Sequence, residues 1–585
     1  MTLLRRRFVL GASSLATLSA LPLPGRVWAG SPALGNHPQT LTGTQFDLAI
    51  GLQNVNFTGS ERVATTVNQS LPGPVLRWKE GERITLRVTN NLQHHSSIHW
   101  HGIILPTNMD GVPGMSFHGI APGETFVYKF DVQQSGTYWY HSHSGFQEQT
   151  GLKGSIVIDP AEPDPVAYDR DFVVMLSDWT DTAPEHVYGT LKKMSHYYNF
   201  NERTVGDLWR DMKSKGLATT WRERAMWNQM RMSQADIADV TGYTYTYLMN
   251  GVTPDRGWIA ECQAGEKIRL RFINGSAMTI FDVRIPGLTL TVVAADGQNI
   301  QPVTVDEFRI GVAETYDVIV QLAPDSAHTV FAQSIDRSGY ARGTLTTNTD
   351  LRAEVPAMDP PPALGHRDMG MANMAGMDHS GHDMEAMAHS AQPSPQLAKA
   401  GFGSNFDPLP PITHADSEFG PHVDMHSAAP PSGLADPGIG LRDHQRLYGR
   451  RVLTYADIRG LHPTRDRRQP SRELELHLTG NMQRYMWSFN GISFAAAEPI
   501  ELRYGERVRI VLVNDSMMTH PIHLHGLWSE LETGDPDYIP RKHTVLVQPG
   551  SRISYLVTAD AKGRWAYHCH LLYHMPGMMR EVRVV

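Results

Sequence analysis

The 585-residue sequence predicts an all-β, multidomain protein, and three observations carry that expectation. Short Val/Ile/Thr/Tyr/Phe runs broken by Gly, Pro, Asn and Asp recur along the chain, while helix-period patterns are scarce. The length exceeds what one hydrophobic core fills, which implies three or four domains. One frame also occurs three times: "GERITLRVTN" from Gly81, "GEKIRLRFIN" from Gly265 and "GERVRIVLVN" from Gly505. Each is a turn followed by an alternating strand that ends on Asn90, Asn274 or Asn514, the mark of duplicated β domains.

Residues 1–29 read as a targeting segment. Arg5, Arg6 and Arg7 precede Phe8 and a modest apolar run, and "VWA" offers a small-residue cleavage site after Ala29. Paired arginines before phenylalanine suggest twin-arginine export and a periplasmic mature chain. No later stretch is long and apolar enough to span a membrane. The leader holds four arginines and no acid, so its removal leaves the rest more acidic than the whole chain's net charge of −8. That balance argues against nucleic acid and suits cationic metal ions. Cys262 and Cys569 are too few for a disulfide scaffold.

The β domains are expected at 40–160, 166–350 and 441–585, with a helix-prone insertion at 201–233 in the second. Nine and eleven residues after Asn90 stand His99 and His101, and the same offsets from Asn514 give His523 and His525. From Asn274 they give Val283 and Ile285. A second frame places another His-x-His pair eighteen residues after the glycine of a Pro-Gly turn: His141/His143 and His568/His570. Residues i and i+2 of a strand share a face, so each pair can converge on one point. Any one pair reads most simply as coincidence; four pairs in one register read as a metal cluster between the first and third domains.

Cys569 lies between His568 and His570 and so faces the other way, towards a second site. His520 and His574 can join it there, and two imidazoles, a thiolate and a weak axial methionine make an electron-transfer copper centre. Met579, by its distance from Cys569, and Met578, by its place before the "REV" strand, are both candidates for that methionine. Zinc competes for Cys/His donors but leaves the neighbouring histidines unexplained.

"HWHG", "HSH", "HPIHLHG" and "HCHLLYHMPGMM" resemble the copper signatures of the multicopper oxidase family. That resemblance implies type 1 ligands at His520, Cys569 and His574, with Met578 or Met579 axial. It implies type 2 ligands at His99 and His523, and type 3 ligands at His101, His141, His143, His525, His568 and His570. "MRMSQADIADVTGYTYTYLMNG", "LHLTGNMQRYMWSFNG" and "GRWAYHCHLLYHM" further resemble periplasmic copper-resistance oxidases of the copper resistance protein A type. This implies three cupredoxin-like Greek-key β-sandwiches, four catalytic coppers, O₂ as acceptor, Cu(I) or a small reductant as donor and other periplasmic copper-handling proteins as partners. The position after His574, a carboxylate in some family members, is Met575 here. Proton delivery then rests on Asp110 in "NMDGVPG", which reads equally well as a turn residue.

Between the last two domains, 351–440 shows no strand alternation and reads as a flexible linker. It contains Met369, Met371, Met374, Met377, His379, His382, Met384, Met387 and His389. Thioether sulfur selects Cu(I), so a segment that gathers additional Cu(I) is expected, against the plainer reading of an ordinary linker. Three functions are in play: a Cu(I) oxidase, a laccase-like phenol oxidase, and a copper-sequestering binding protein. Met517, Met518 and Met575 beside the type 1 histidines favour the first.

Overall fold

The computed structural model describes residues 38–201, 203–229, 232–370 and 411–585. Its strands form six sheets, two for each of three β-sandwiches. Alternation builds the layers: in Gln45–Val55, Phe46, Leu48 and Ile50 are buried while Asp47 and Ala49 face solvent. The three strands of the repeated frame, Arg83–Asn90, Lys267–Asn274 and Arg507–Asp515, hold equivalent places. Each has a parallel neighbour on one side and an antiparallel neighbour on the other.

The terminal asparagines explain why the frame ends as it does. The side-chain amide of Asn90 donates to the carbonyls of His94 and Ile120, and its oxygen accepts from Leu92 N. Asn274 makes the same bracket with Thr279, Ile310 and Ser276, and Asn514 with Met518, Val547 and Ser516. Each fully buried amide thereby ties the end of one sheet to the loop that leads into the other.

The insertion in the middle domain forms helices Val205–Lys215 and Leu217–Gln229, the first opened by a reciprocal cap between Thr204 and Asp207. No helix among the described residues is long and apolar enough to cross a membrane.

The flanks of the expected flexible linker differ from that expectation. Residues 351–370 and 411–440 hold almost no regular structure, yet they are packed. Asp359 pairs with Arg284, Asp368 with Arg442, and Leu364 is buried. Met369 is corrected with them: its side chain is fully buried in the hydrophobic core, so it belongs to the packed flank rather than to a copper-collecting segment. Met371, Met374, Met377, His379, His382, Met384, Met387 and His389 lie outside the described residues.

Candidate metal centres

Strand His520–Leu524 explains how two sites arise back to back. It pairs antiparallel with Gly563–Cys569, Ile522 opposite Cys569 and His523 opposite His568. Opposite residues share a face, so His520 and Ile522 lie on the Cys569 side while His523 lies on the His568 side.

On the first face Cys569 Sγ is 3.4 Å from His520 Nδ1 and 3.9 Å from His574 Nδ1, and the two nitrogens are 3.4 Å apart. All three residues are fully buried. The far nitrogens are occupied: His520 Nε2 meets Ser516 Oγ at 2.7 Å, and His574 Nε2 donates to Asp239 Oδ2 at 2.7 Å. Trp487 stacks on His574 at 3.9 Å. The register continues into the last strand, Met579–Val584, where Met579 stands opposite His568. Cys569 N donates to Met578 O, so Met578 is opposite Cys569 and shares its face, and it is fully buried.

On the second face eight histidines converge, three donor atoms at a time. His101, His141 and His570 form one group within 4.8 Å, and His143, His525 and His568 form another. His99 and His523 complete a third with His101. The four pairs noted in sequence are thus re-sorted, each of the two triads drawing on both the first and third sandwiches.

Polar contacts fix which nitrogen of five of the rings points inward. His99 Nδ1 donates to the Asp110 carbonyl, His523 Nδ1 to the His543 carbonyl and His568 Nδ1 to the Cys569 carbonyl. His525 Nδ1 donates to Asp110 Oδ2 at 3.0 Å, and His141 Nδ1 lies 2.7 Å from Glu148 Oε2. His99 Nε2, His101 Nδ1, His141 Nε2, His143 Nε2, His523 Nε2 and His570 Nε2 are then buried with no hydrogen-bond partner. His525 Nε2 and His568 Nε2 face each other at 3.0 Å. Orphaned buried nitrogens are rare and costly, and so many of them aimed into one pocket fit metal ions.

Protonation agrees. Burial, reinforced by neighbouring imidazoles, pushes His101, His141, His143, His523, His525 and His570 well below the usual histidine range. His568 is pushed down to about 4, chiefly by burial. Neutral imidazole is the form that binds metal. Burial also raises the Cys569 thiol, which becomes a thiolate only beside a cation.

Four supporting residues escaped sequence reasoning: Asp239, Glu148, Ser516 and His543. Asp239 lies in the "MRMSQADIADVTG" stretch, but nothing local ties it to His574, 335 residues away. Glu148 follows His143 in "HSHSGFQEQTG", the nearest thing to a signal, and burial raises its carboxyl well above the usual range. Asp110 is buried against His99 and His525, so it is more than a turn residue. Both cysteines are free, Cys262 in the middle sandwich bonding weakly to Thr346 O.

Sandwiches of this kind with buried histidine and cysteine donors define a copper-dependent oxidoreductase, and the comparisons agree. Family models described as multicopper oxidase match residues 49–163, 170–350 and 467–585, and the chain belongs to the multicopper oxidase family, whose cofactor is copper. Within it, the chain is 57% identical to the copper resistance protein A homolog of Pseudomonas syringae pv. tomato, over 99% of each chain. It is 58% identical to copper resistance protein A of Escherichia coli, over 93% of each. Among solved structures, Fet3p, a multicopper oxidase that functions in iron import, aligns with a TM-score of 0.62 at 19% identity, covering 93% of this chain and 90% of that one. The laccase from Botrytis aclada aligns at 0.59 and 21% identity, covering 94% and 88%. At those identities the two structures speak for the fold alone.

Proposed function

We propose that the protein is a periplasmic oxidase that removes one electron at a time from Cu(I) and passes four to O₂, serving copper resistance. The observation that carries this reading is Cys569, whose thiol meets His520 and His574 while its neighbours His568 and His570 join the two triads across the strand. His520, Cys569 and His574 would hold the type 1 copper, and Met578, which shares the Cys569 face, would be the methionine that joins them. His99 and His523 would hold type 2, and the two triads the type 3 pair. When bound, the four coppers accept electrons singly and supply the four that convert O₂ to two waters.

The chain's own residues do the rest. An electron arriving at Cys569 Sγ has a covalent route through one residue to either flanking imidazole. Asp110 orients His99 and His525, Glu148 does the same for His141, and Asp110 would hand protons into the pocket. Trp487, Asp239 and Tyr485 close over His574 and keep water from it.

Cu(I) is favoured over a phenol by burial. Neither His520 nor His574 offers an exposed edge, and the outward nitrogen of His574 is bonded to a carboxylate. A cation can bind such a carboxylate through its full charge and pass its electron through the hydrogen bond, whereas a phenol can offer it only one O–H. Met575, next in sequence and half-buried, adds a soft donor. The names of the copper resistance relatives and the arginine leader support the role and the export route.

Steady-state O₂ uptake by the copper-loaded mature protein, with Cu(I) against a small phenol, tests the reading. Cu(I) should give the higher kcat/KM; a phenol turning over faster would replace this reading with a laccase. Deleting 371–390 should raise the Michaelis constant for Cu(I), lower excess bound copper and leave phenol oxidation unchanged. Equal effects on both substrates would make the segment an ordinary linker, and a chain that binds many coppers without O₂ uptake would be a sequestering protein.

A further inference from the structure

A second convergence of histidines and carboxylates lies apart from the candidate copper ligands. His477 projects from strand Arg472–Asn481, and Asp515 ends the parallel neighbour Arg507–Asp515. His414 and Glu418 come from the packed segment after 411, Glu418 from the single turn Asp416–Glu418. Glu418, His477 and Asp515 are buried to within 1%, and the His414 side chain is 16% exposed.

Their donor atoms form a ring in which nitrogen and oxygen alternate. His414 Nδ1 is 2.8 Å from Glu418 Oε2 and 3.5 Å from Asp515 Oδ2. His477 Nδ1 is 2.6 Å from Asp515 Oδ2 and 3.4 Å from Glu418 Oε2. The remaining valences are used outside the ring. His414 Nε2 donates to Ser427 O at 3.2 Å, and Asp515 Oδ1 accepts from Ser427 N at 2.7 Å. A neutral His414 therefore turns a lone pair towards two carboxylate oxygens, which is repulsive unless a proton or a cation sits between them.

The ring has the charge for a cation and, with two edges at 2.8 and 3.4 Å and two at 2.6 and 3.5 Å, lies within about 0.2 Å of the size one needs. With metal–ligand bonds of about 2.0–2.1 Å, neighbouring donors lie about 2.8–3.4 Å apart in square-planar or tetrahedral coordination. Two neutral imidazoles and two carboxylates balance a divalent charge. The donor set holds no sulfur, so it differs in kind from the Cys569 site, and imidazole with carboxylate ranks Cu(II) above Zn(II). Asp515 also precedes Ser516, whose hydroxyl holds His520 Nε2.

We propose that His414, Glu418, His477 and Asp515 form a further divalent-metal site that takes Cu(II) in preference to Cu(I), one residue from the serine that anchors His520. The site stands on its own donors and does not depend on the identity of the oxidase substrate. The ion-free alternative is a salt-bridged square. Burial opposes a charged His477, but its hydrogen bonds to Asp515 and Glu475 outweigh burial and raise its pKa to about 9.

The test uses the full-length holoenzyme equilibrated with Cu(II), then with Zn(II) or Cu(I), and freed of loose metal. Crystals of the wild type should show an anomalous peak at the copper edge inside the ring, and electron paramagnetic resonance should gain one Cu(II) per chain coupled to two imidazoles. His414→Gln and His477→Gln should each lose that one equivalent. Histidines at 379, 382 and 389 are intact in both variants, so copper held there cancels in the difference. His414→Gln, at the edge of the cluster, is the variant expected to fold, and the wild-type diffraction needs no variant. An empty ring in wild-type crystals, or unchanged stoichiometry in both variants, would overturn the site. Occupancy by Zn(II) or Cu(I) but not Cu(II) would overturn the stated preference.

Discussion

Strand His520–Leu524 of the third sandwich and strand Phe281–Arg284 of the middle one occupy the same place. Each is fourth in a five-stranded sheet, antiparallel to both neighbours and preceded by an asparagine bracket. His523 and His525 in the third correspond to Val283 and Ile285 in the middle, and all four are buried. The same backbone thus supports opposite interiors. Val283 and Ile285 need only close packing, whereas His523 leaves Nε2 without a partner. An unsatisfied buried polar group costs about 1–3 kcal/mol, so copper does for the third sandwich what methyl contacts do for the middle one.

Four experiments would break or sharpen that contrast. The largest effect belongs to Cys569→Ser. It should abolish the thiolate-to-copper visible band and reduce turnover to background, with circular dichroism unchanged; a retained blue band would remove Cys569 from the ligands.

Stripping copper comes next. A ligand present at about a thousandfold over its Kd stabilises by about 4 kcal/mol, so the apo protein should melt well below the loaded one. Both forms should also lose stability in acid, in a predictable direction. His568 is pushed from 6.5 down to about 4 when folded, so below about 6.5 the unfolded chain takes up a proton that the folded apo chain refuses. Apo stability is therefore full above that pH and falls as pH drops towards about 4, by about 1.4 kcal/mol per unit for each such histidine. Melting curves with and without copper at pH 7.5, 6 and 5 would check it. An apo protein whose melting temperature is flat over that range would contradict the neutral cluster.

Asp239→Asn keeps the shape beside His574 but removes the charge. Loss of a group that supports a metal ligand costs about 10–100-fold, so kcat/KM for Cu(I) should fall by that factor while the visible band persists. An unchanged constant would place the electron's route elsewhere.

The smallest effect is expected in the middle sandwich. Val283→Ala should cost roughly 1–2 kcal/mol in denaturant unfolding through the cavity it leaves, with copper content unchanged. Loss of even one copper would mean that this domain contributes to the cluster.

The histidine pairs, Cys569 and the apolar slots at Val283 and Ile285 were legible in sequence because a strand's period of two is local. Spacing alone told that His568 and His570 share a face and that Cys569 faces the other way. It could not sort the six triad histidines, because each triad draws on two sandwiches. It left Met578 and Met579 equal until strand pairing set Met578 opposite Cys569. It gave Asp110 two readings until folding brought His525, 415 residues away, onto its carboxylate. Asp239 carried no pattern, and Glu148 only its nearness to His143, since a carboxylate that orients an imidazole needs only to arrive within hydrogen-bond reach. Local periodicity settles which way a side chain faces; what it meets there is decided by sheet pairing and domain packing, which close over hundreds of residues.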